Sequence, residues 1–407
     1  MDVVYERCCG LDVHKKMVVA CVLTPETKEI RTFSTMTEEL HELVDWLGHH
    51  HCTHVAMEST GSFWKPIYNL LESVDFHVLV VNAKHMKNVP GRKTDVKDAE
   101  WIAGLLRHGL LQASYIPDRD QRELRELIRY RRSLIDERAR EVNRVQKVLE
   151  GANIKLSAVA RNTLGKSGRA MLEAMIHGED NAEILSELAL GRLKAKKADL
   201  QKALNGLMGD HQRMMLGSQL RHIDYLDEEI ARLDEEVKTR MLPFEEELEL
   251  VDTIPGVGRR TAEQILAEIG TDMSQFPSAA HLCSWAGLAP GNNESAGKRK
   301  SGATRKGNQK LRAALVEAAR STTRMKQTYL AAQYHRIAAR RGKNRAAIAV
   351  AHRILTIVYS ILQRHQPYIE LGPTYYEERR KDAVIKQSIR RLQSLGVEVT
   401  VKPVPAS

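Results

Sequence analysis

The first hundred residues alternate between two hydrophobic periods. Cys8–Val13 and Met17–Leu23 are dense apolar runs separated by the short polar turn His14-Lys15-Lys16, which predicts two paired strands. Residues 29–36 read as a third strand at a sheet edge. Over residues 38–49, Leu40, Leu43, Val44 and Leu47 recur at helical spacing, so a helix is expected there. Residues 54–57 form a short strand and residues 63–74 a helix, while the unbroken apolar run 76–81 suits a buried strand. After the Gly91-Arg92-Lys93 loop, Thr94 is placed to cap a helix ending near His108. The order βββαβαβα specifies an α/β fold for residues 1–117, with helices layered on a mixed sheet.

From residue 118 the pattern changes to long charged helices. Leu124, Leu127, Leu134, Val142, Val145 and Leu149 come close to a heptad, and Leu216, Ile223, Ile230 and Val237 lie seven apart, with Leu226 and Leu233 on a second seam. Two long helices around a smaller helical insert, over residues 118–243, make a coiled-coil arm. Such a seam suits pairing with a second copy, so a homo-oligomer is expected. Pro243 closes the second helix. Residues 244–364 read as a mainly helical, all-α domain. The tail, 365–407, carries Gln366-Pro367, Gly372-Pro373 and a basic helix near 378–394, and no role follows from it.

Composition narrows the class. The chain has 407 residues and is 43% apolar, enough to build more than one core. Lys and Arg outnumber Asp and Glu by 62 to 52, giving a net charge of +10, which suits a polyanionic partner, with nucleic acid the default. Cys8, Cys9, Cys21, Cys52 and Cys283 include no CxxC pair and sit largely in apolar stretches, as buried free thiols of a reducing compartment do. No apolar run approaches a membrane span and no signal-peptide core opens the chain, so a cytoplasmic protein with no membrane partner is expected. No P-loop or other nucleotide-binding signature is present.

Chemistry gathers at two places. Asp12 ends the first strand and Glu58 ends a later one, while Asp95 and Asp98, spaced i and i+3, share one face of the following helix. Strand ends on one edge of an α/β sheet bring distant residues together. Crowded carboxylates repel and call for a cation, and their hard oxygens suit Mg²⁺ or Mn²⁺. Taken singly, each acid could equally cap a turn, pair with a lysine or favour a helix N-terminus.

The second place begins at Ile254-Pro255-Gly256-Val257-Gly258, a turn leading into a helix near Arg259, which resembles a helix-hairpin-helix whose backbone amides, at Gly256 and Gly258, face a phosphate. An ordinary glycine-rich turn between helices is the alternative. Gly287-Leu288-Ala289-Pro290 and the segment 291–298 follow. Between Glu294 and Glu317 there is no acid but seven bases, Lys298, Arg299, Lys300, Arg305, Lys306, Lys310 and Arg312, a run that faces a polyanion. Lys298, Arg299, Lys300, Arg305 and Lys306 are the candidate backbone contacts, with Arg131 and Arg132 behind them. Ser295 lies among these cations and glycines. A serine attacks a phosphodiester if its proton is removed and the charge on phosphorus is neutralised, but spacing alone does not separate Ser295 from Ser284, Ser301 or a serine that only binds phosphate.

These motifs resemble the insertion-sequence 110 family of transposases. Gly10-Leu11-Asp12-Val13-His14-Lys15, Met57-Glu58-Ser59-Thr60-Gly61 and Lys93-Thr94-Asp95-Val96-Lys97-Asp98-Ala99 look like its DEDD motifs. Ile254-Pro255-Gly256-Val257-Gly258, Gly287-Leu288-Ala289-Pro290, Ser295-Ala296-Gly297-Lys298, Lys306-Gly307-Asn308 and Leu311-Arg312 look like its C-terminal domain. The resemblance spans roughly residues 5–364. It implies an RNase H-like (RuvC-like) N-terminal domain, a coiled-coil middle and a C-terminal domain with the serine. It further implies that Asp12, Glu58, Asp95 and Asp98 hold Mg²⁺ beside the scissile phosphate, and that Ser295 forms a 5′-phosphoserine link during strand exchange. A structured bridge RNA would pair with element-end (donor) and target DNA, and the acids and serine would meet across protomers of a dimer or tetramer. Ala296 stands where many relatives have Gly or Ser, which weakens the register around Ser295. The competing readings are a RuvC-like endonuclease using metal-activated water, and a non-enzymatic nucleic-acid-binding protein.

Overall fold

The computed structural model describes residues 2–59, 61–82, 95–291, 293–295, 298–301, 303–304, 306–379 and 381–400, without the side chains of 95–97, 293–295, 298–301, 377 and 382–384. The chain divides into two units, Met1–Arg119 and Asp120–Ser407.

In the first unit β1 (Cys8–Val13), β2 (Met17–Leu23) and β3 (Lys28–Ser34) form an antiparallel meander, and β4 (His54–Glu58) and β5 (His77–Val81) add to β1 in parallel, giving the order β3-β2-β1-β4-β5. Helices α1 (Thr37–His49), α2 (Trp64–Glu72) and α3 (Asp95–Arg107) accompany it among the described residues. Alternation along β1 decides what each face meets. Cys9, Leu11 and Val13 share a core with Leu40, Leu43 and Leu47 of α1 and Ile67 and Leu71 of α2. On the other face Cys8 packs with Ile102 and Leu106 of α3, and Val19 and Cys21 with Ala99 and Ala103. The predicted α/β layering is therefore present as three layers. Thr94, the expected cap of α3, lies outside the described residues.

The second unit opens with α4 (Arg119–Gly151), followed by α5 (Leu156–Val159), α6 (Lys166–Ile176), α7 (Ala182–Glu187), α8 (Lys197–Leu204) and α9 (Asp210–Met241). α4 and α9 run antiparallel: Leu134 packs with Leu226 and Ile230, while Val145 and Leu149 share a core with Leu216, Leu220 and Ile223. The heptad positions Leu216, Ile223, Ile230 and Val237 are all buried. Periodicity thus located the seam, but the surface covering it belongs to the same chain. The insert, α5–α8, extends that core through Leu156, Met171, Leu172, Leu185 and Leu200. Pro243 lies in a short 3₁₀ turn, Leu242–Phe244, just after α9 ends.

The remainder comprises α10 (Glu245–Asp252), α11 (Arg259–Ile269), α12 (Ala279–Trp285), a hairpin of β6 (Asn293–Ser295) and β7 (Lys298–Ser301), α13 (Gln309–Ser321), α14 (Tyr329–Arg341), α15 (Lys343–Arg364), α16 (Tyr375–Arg379) and α17 (Lys381–Ser394). The hairpin is a short β element in a domain that is otherwise helical, in keeping with its mainly helical reading. α15 corrects one expectation, since among the described residues it is the one helix long and apolar enough to cross a membrane. Val350, Ile354, Leu355, Val358 and Leu362 are nonetheless buried, on a helix packed by α12, α13 and α14, as in a core helix. The tail begins docked, with Glu370 Oε1 accepting the Tyr329 N–H at 2.8 Å and Tyr376 stacked on Tyr329. All five cysteines are free and buried.

Candidate active site

Three of the four predicted acids come together in the first unit, and strand register is the reason. Leu11 pairs with Met57 across parallel β1 and β4, so the next residues, Asp12 and Glu58, are neighbours at the strands' C-terminal ends. Alternation puts Asp12 on the same face as Gly10 and Cys8, which is the face α3 covers. A Cβ on Gly10 would stand 2.3 Å from both Ala103 N and Ala99 O, so only glycine lets α3 lie this close to β1. That approach brings Asp98, one residue before Ala99, toward Asp12.

Electrostatics record the crowding. Burial raises the Asp12 carboxyl above its ordinary range, its bond to His14 opposes this, and the charges of Asp98 and Glu58 push it further up. His14 Nε2 lies 3.0 Å from Asp12 Oδ2, with the Asp12 side chain 15% exposed. Asp95 begins α3, one turn before Asp98, and its side chain lies outside the described residues. Among the described residues no three His, Cys, Asp or Glu are close enough together to hold a metal ion. Among the described side chains, Asp98 and Glu58 are within electrostatic reach of Asp12, but the three are not drawn into a ligand cage.

Ser295 belongs to the second unit. It is the last residue of β6, and it pairs with Lys298 across the two-residue connection Ala296-Gly297. An x-Gly pair between two short polar runs is a hairpin signal, and it was available in the sequence. Lys298 and Arg299 stand on β7 opposite Ser295 and Glu294, and Lys300 lies beside them. The side chains of these residues and of Arg305 lie outside the described residues, while Lys306 is exposed.

The hairpin base is fixed by residues that spacing alone did not single out. Gly291 N donates to Ala303 O at 2.9 Å, and Pro290 bridges to Thr304. Arg312 Nη1 donates to Thr304 Oγ1 at 2.7 Å and to Gly287 O at 3.2 Å. Asn308 caps α13, its Oδ1 accepting from the amides of Lys310 and Leu311, and its Nδ2 donates to Glu268 Oε2 at 2.6 Å. Glu268, on α11 and 1% exposed, also accepts two bonds from Arg129 of α4, at 2.7 and 2.8 Å. Arg125 Nε donates to Ala267 O at 3.1 Å, close to the same carboxylate. Lys306-Gly307-Asn308 and Arg312 had appeared as motif residues. Nothing in the sequence pointed to Glu268, whose partners are 40 and 139 positions away.

The glycine turn joins α10 to α11. Gly256 has φ +86°, and a Cβ there would meet Ala318 O and Thr322 Cγ2 at 2.7 Å. Contact with the end of α13 thus explains that glycine without a ligand. Gly258 has open space around it and precedes the first turn of α11. Arg131 leaves the set of backbone contacts: it is 3% exposed and held by Asp234 at 2.9 Å and Glu263 at 2.6 Å. Arg132 pairs with Asp136 and Glu317.

Comparison with known proteins agrees with this arrangement. A DEDD-type IS110 transposase model matches residues 9–154, covering the sheet, α3 and all of α4, and the model for the transposase IS116/IS110/IS902 family matches residues 248–335, covering α11 through the hairpin into α14. The transposase for insertion sequence element IS1111A of Coxiella burnetii is 25% identical over 325 residues, 77% of this chain and 79% of that protein. The pilin gene-inverting protein of Moraxella lacunata is 25% identical over 378 residues, 88% and 96% of the two chains. An insertion element IS116 protein of Streptomyces clavuligerus is 29% identical over 243 residues, 52% and 60%. With both family models matched in order, around the acids and around the serine hairpin, the chain belongs to the insertion-sequence transposases of the IS110/IS116/IS902 type.

Proposed function

We propose that this transposase cuts and rejoins DNA through a phosphoserine link made by Ser295, with Asp12, Glu58, Asp95 and Asp98 as a divalent-metal site. The observation that carries the acidic half is the placement of Asp12 and Glu58 at adjacent strand ends under α3, with Asp98 and Glu58 both raising the Asp12 carboxyl. The sheet order β3-β2-β1-β4-β5, with antiparallel and parallel halves meeting at β1, supports an RNase H-like reading of this unit. Carboxylate oxygens are the donors Mg²⁺ or Mn²⁺ prefers. When bound, such an ion supplies charge neutralisation at a phosphodiester. The acids' own part is to orient, with His14 holding Asp12 toward the shared face.

In the step assigned to Ser295, its Oγ forms a bond to phosphorus as the bond from phosphorus to the 3′ oxygen breaks. The hydroxyl proton is lost, the departing 3′ oxygen gains one, and the strand's 5′ phosphate remains as a serine ester. Attack by another 3′-hydroxyl reverses the exchange and releases the serine hydroxyl, one phosphodiester for another, so no ATP is needed. Placement of Ser295 at a hairpin end opposite Lys298, on a strand of cations, supports this role. Guidance by a bridge RNA, and assembly as a dimer or tetramer that joins acids and serine across protomers, complete the proposal through the family resemblance.

The test is a covalent protein–DNA band on a denaturing gel after co-expression with RNA from the flanking non-coding DNA, with Mg²⁺ and element-end DNA added. A band in wild type that is lost in both Ser295→Ala and Asp12→Ala supports the mechanism. Cleavage that persists in Ser295→Ala without an adduct overturns the serine step and leaves a metal-dependent nuclease.

A further inference from the structure

A second acid-free stretch follows the serine segment. Between Glu317 and Glu370 the chain has no Asp or Glu but ten Lys and Arg. Part of this charge is gathered at one corner, where α14 turns into α15 through Gly342, whose φ is +82°. Arg340 and Arg341 end α14, Lys343 and Arg345 begin α15, and all four are exposed. Among the described residues none of the four has an ion-pair partner, although Arg side chains elsewhere in this unit are regularly matched to Asp or Glu. Arg336, one turn earlier on α14, is exposed as well, and its guanidinium lies over Tyr376. A solvated face normally mixes signs, and packing does not require this charge, because the buried side of α15 is apolar.

We propose that the α14–α15 corner is a contact surface for the sugar-phosphate backbone of duplex DNA. Four adjacent cations without acids between them complement a line of phosphates. Gly342 brings no side-chain cap to α15, so the first amides of that helix have no cap side chain to bond and favour an anion at the same corner. The nearby aromatics are engaged within the protein, Tyr334 in the core and Tyr376 against Tyr329 and Arg336. A grip on single strands would offer aromatic faces to unstacked bases, so this corner suits a paired helix. DNA is the duplex that membership of a transposase family supplies, and the proposal rests on that membership and not on the Ser295 chemistry. The contact is sequence-independent and sets affinity and register.

The experiment measures binding of the full-length protein to an arbitrary DNA duplex across a salt series. It compares wild type, a variant with Arg340, Arg341, Lys343 and Arg345 all changed to Gln, and a control with Arg192, Lys194, Lys196 and Lys202, exposed residues of the insert, changed to Gln. The expected result is that the corner variant loses about one unit of log–log salt slope per lost phosphate contact, roughly four in all, while the control keeps the wild-type slope. An unchanged slope in the corner variant, or an equal loss in the control, overturns the proposal. So does a loss seen with duplex RNA but not with duplex DNA. Circular dichroism confirms that the variants are folded. Because the readout needs no cleavage, failure of the Ser295 adduct leaves this result standing, and failure of this result leaves the adduct assay untouched.

Discussion

The two candidate reactive places are held by different physics. Asp12 and Glu58 are positioned by backbone: parallel pairing of β1 with β4 fixes their adjacency, and side-chain alternation fixes their face. The base of the Ser295 hairpin is positioned by side chains, through Arg312, Asn308 and Glu268, and finally Arg125 and Arg129 on α4. A backbone-defined site tolerates most substitutions except those that block an approach. A site defined by a buried polar chain is sensitive at each link, because every broken link strands its partner.

Substitutions sharpen this contrast. Glu268→Ala should have the largest effect, destabilising the second unit by about 4 kcal/mol, since it leaves Arg125 and Arg129 partly buried without their carboxylate. Thermal unfolding followed by circular dichroism would show it, and a loss under about 1 kcal/mol would mean the hairpin base is not held this way. Gly10→Val should cost about 3 kcal/mol, because α3 backbone atoms occupy the space its side chain needs. Chemical denaturation read by tryptophan fluorescence checks it, and a neutral outcome would show that α3 does not rest on β1. Asn308→Ala should cost about 1 kcal/mol as a lost helix cap, and hydrogen exchange should speed up at the first turn of α13. Arg138→Ala, which removes a partly exposed pair with Asp227 on the arm, should change stability by no more than about 0.5 kcal/mol in a denaturant titration.

The same contrast explains what the sequence revealed. β1 and β2 were legible to the residue, because a strand's apolar run is local information. The arm's seam was legible as a face, with Leu216, Ile223, Ile230 and Val237 buried as their spacing required. Its partner was not, since periodicity states that a surface must be covered and leaves open which chain covers it. Arg131 looked like a cation for nucleic acid because Asp234 and Glu263 stand 103 and 132 positions away. The hairpin at Ser295 was missed because strands of three and four residues carry too little pattern, leaving the Ala-Gly pair in the sequence as the one usable sign. Asp12, Glu58 and Asp98 stood out as candidates because each lies in the closing residues of a strand or the first turn of a helix, in elements whose period is local.

The antiparallel α4–α9 pair has a metrical consequence. At about 1.5 Å per residue, helices of 33 and 32 residues are struts of roughly 50 Å. One end of the pair is tied to α11 through Arg129 and Glu268, and the other end carries the insert core. Removing one heptad from both helices would bring the insert closer by about 10 Å and keep the seam in phase. Removing a single residue from one helix would instead turn the segment beyond it by about 100°, so the arm behaves as a ruler whose permitted lengths come in steps of seven.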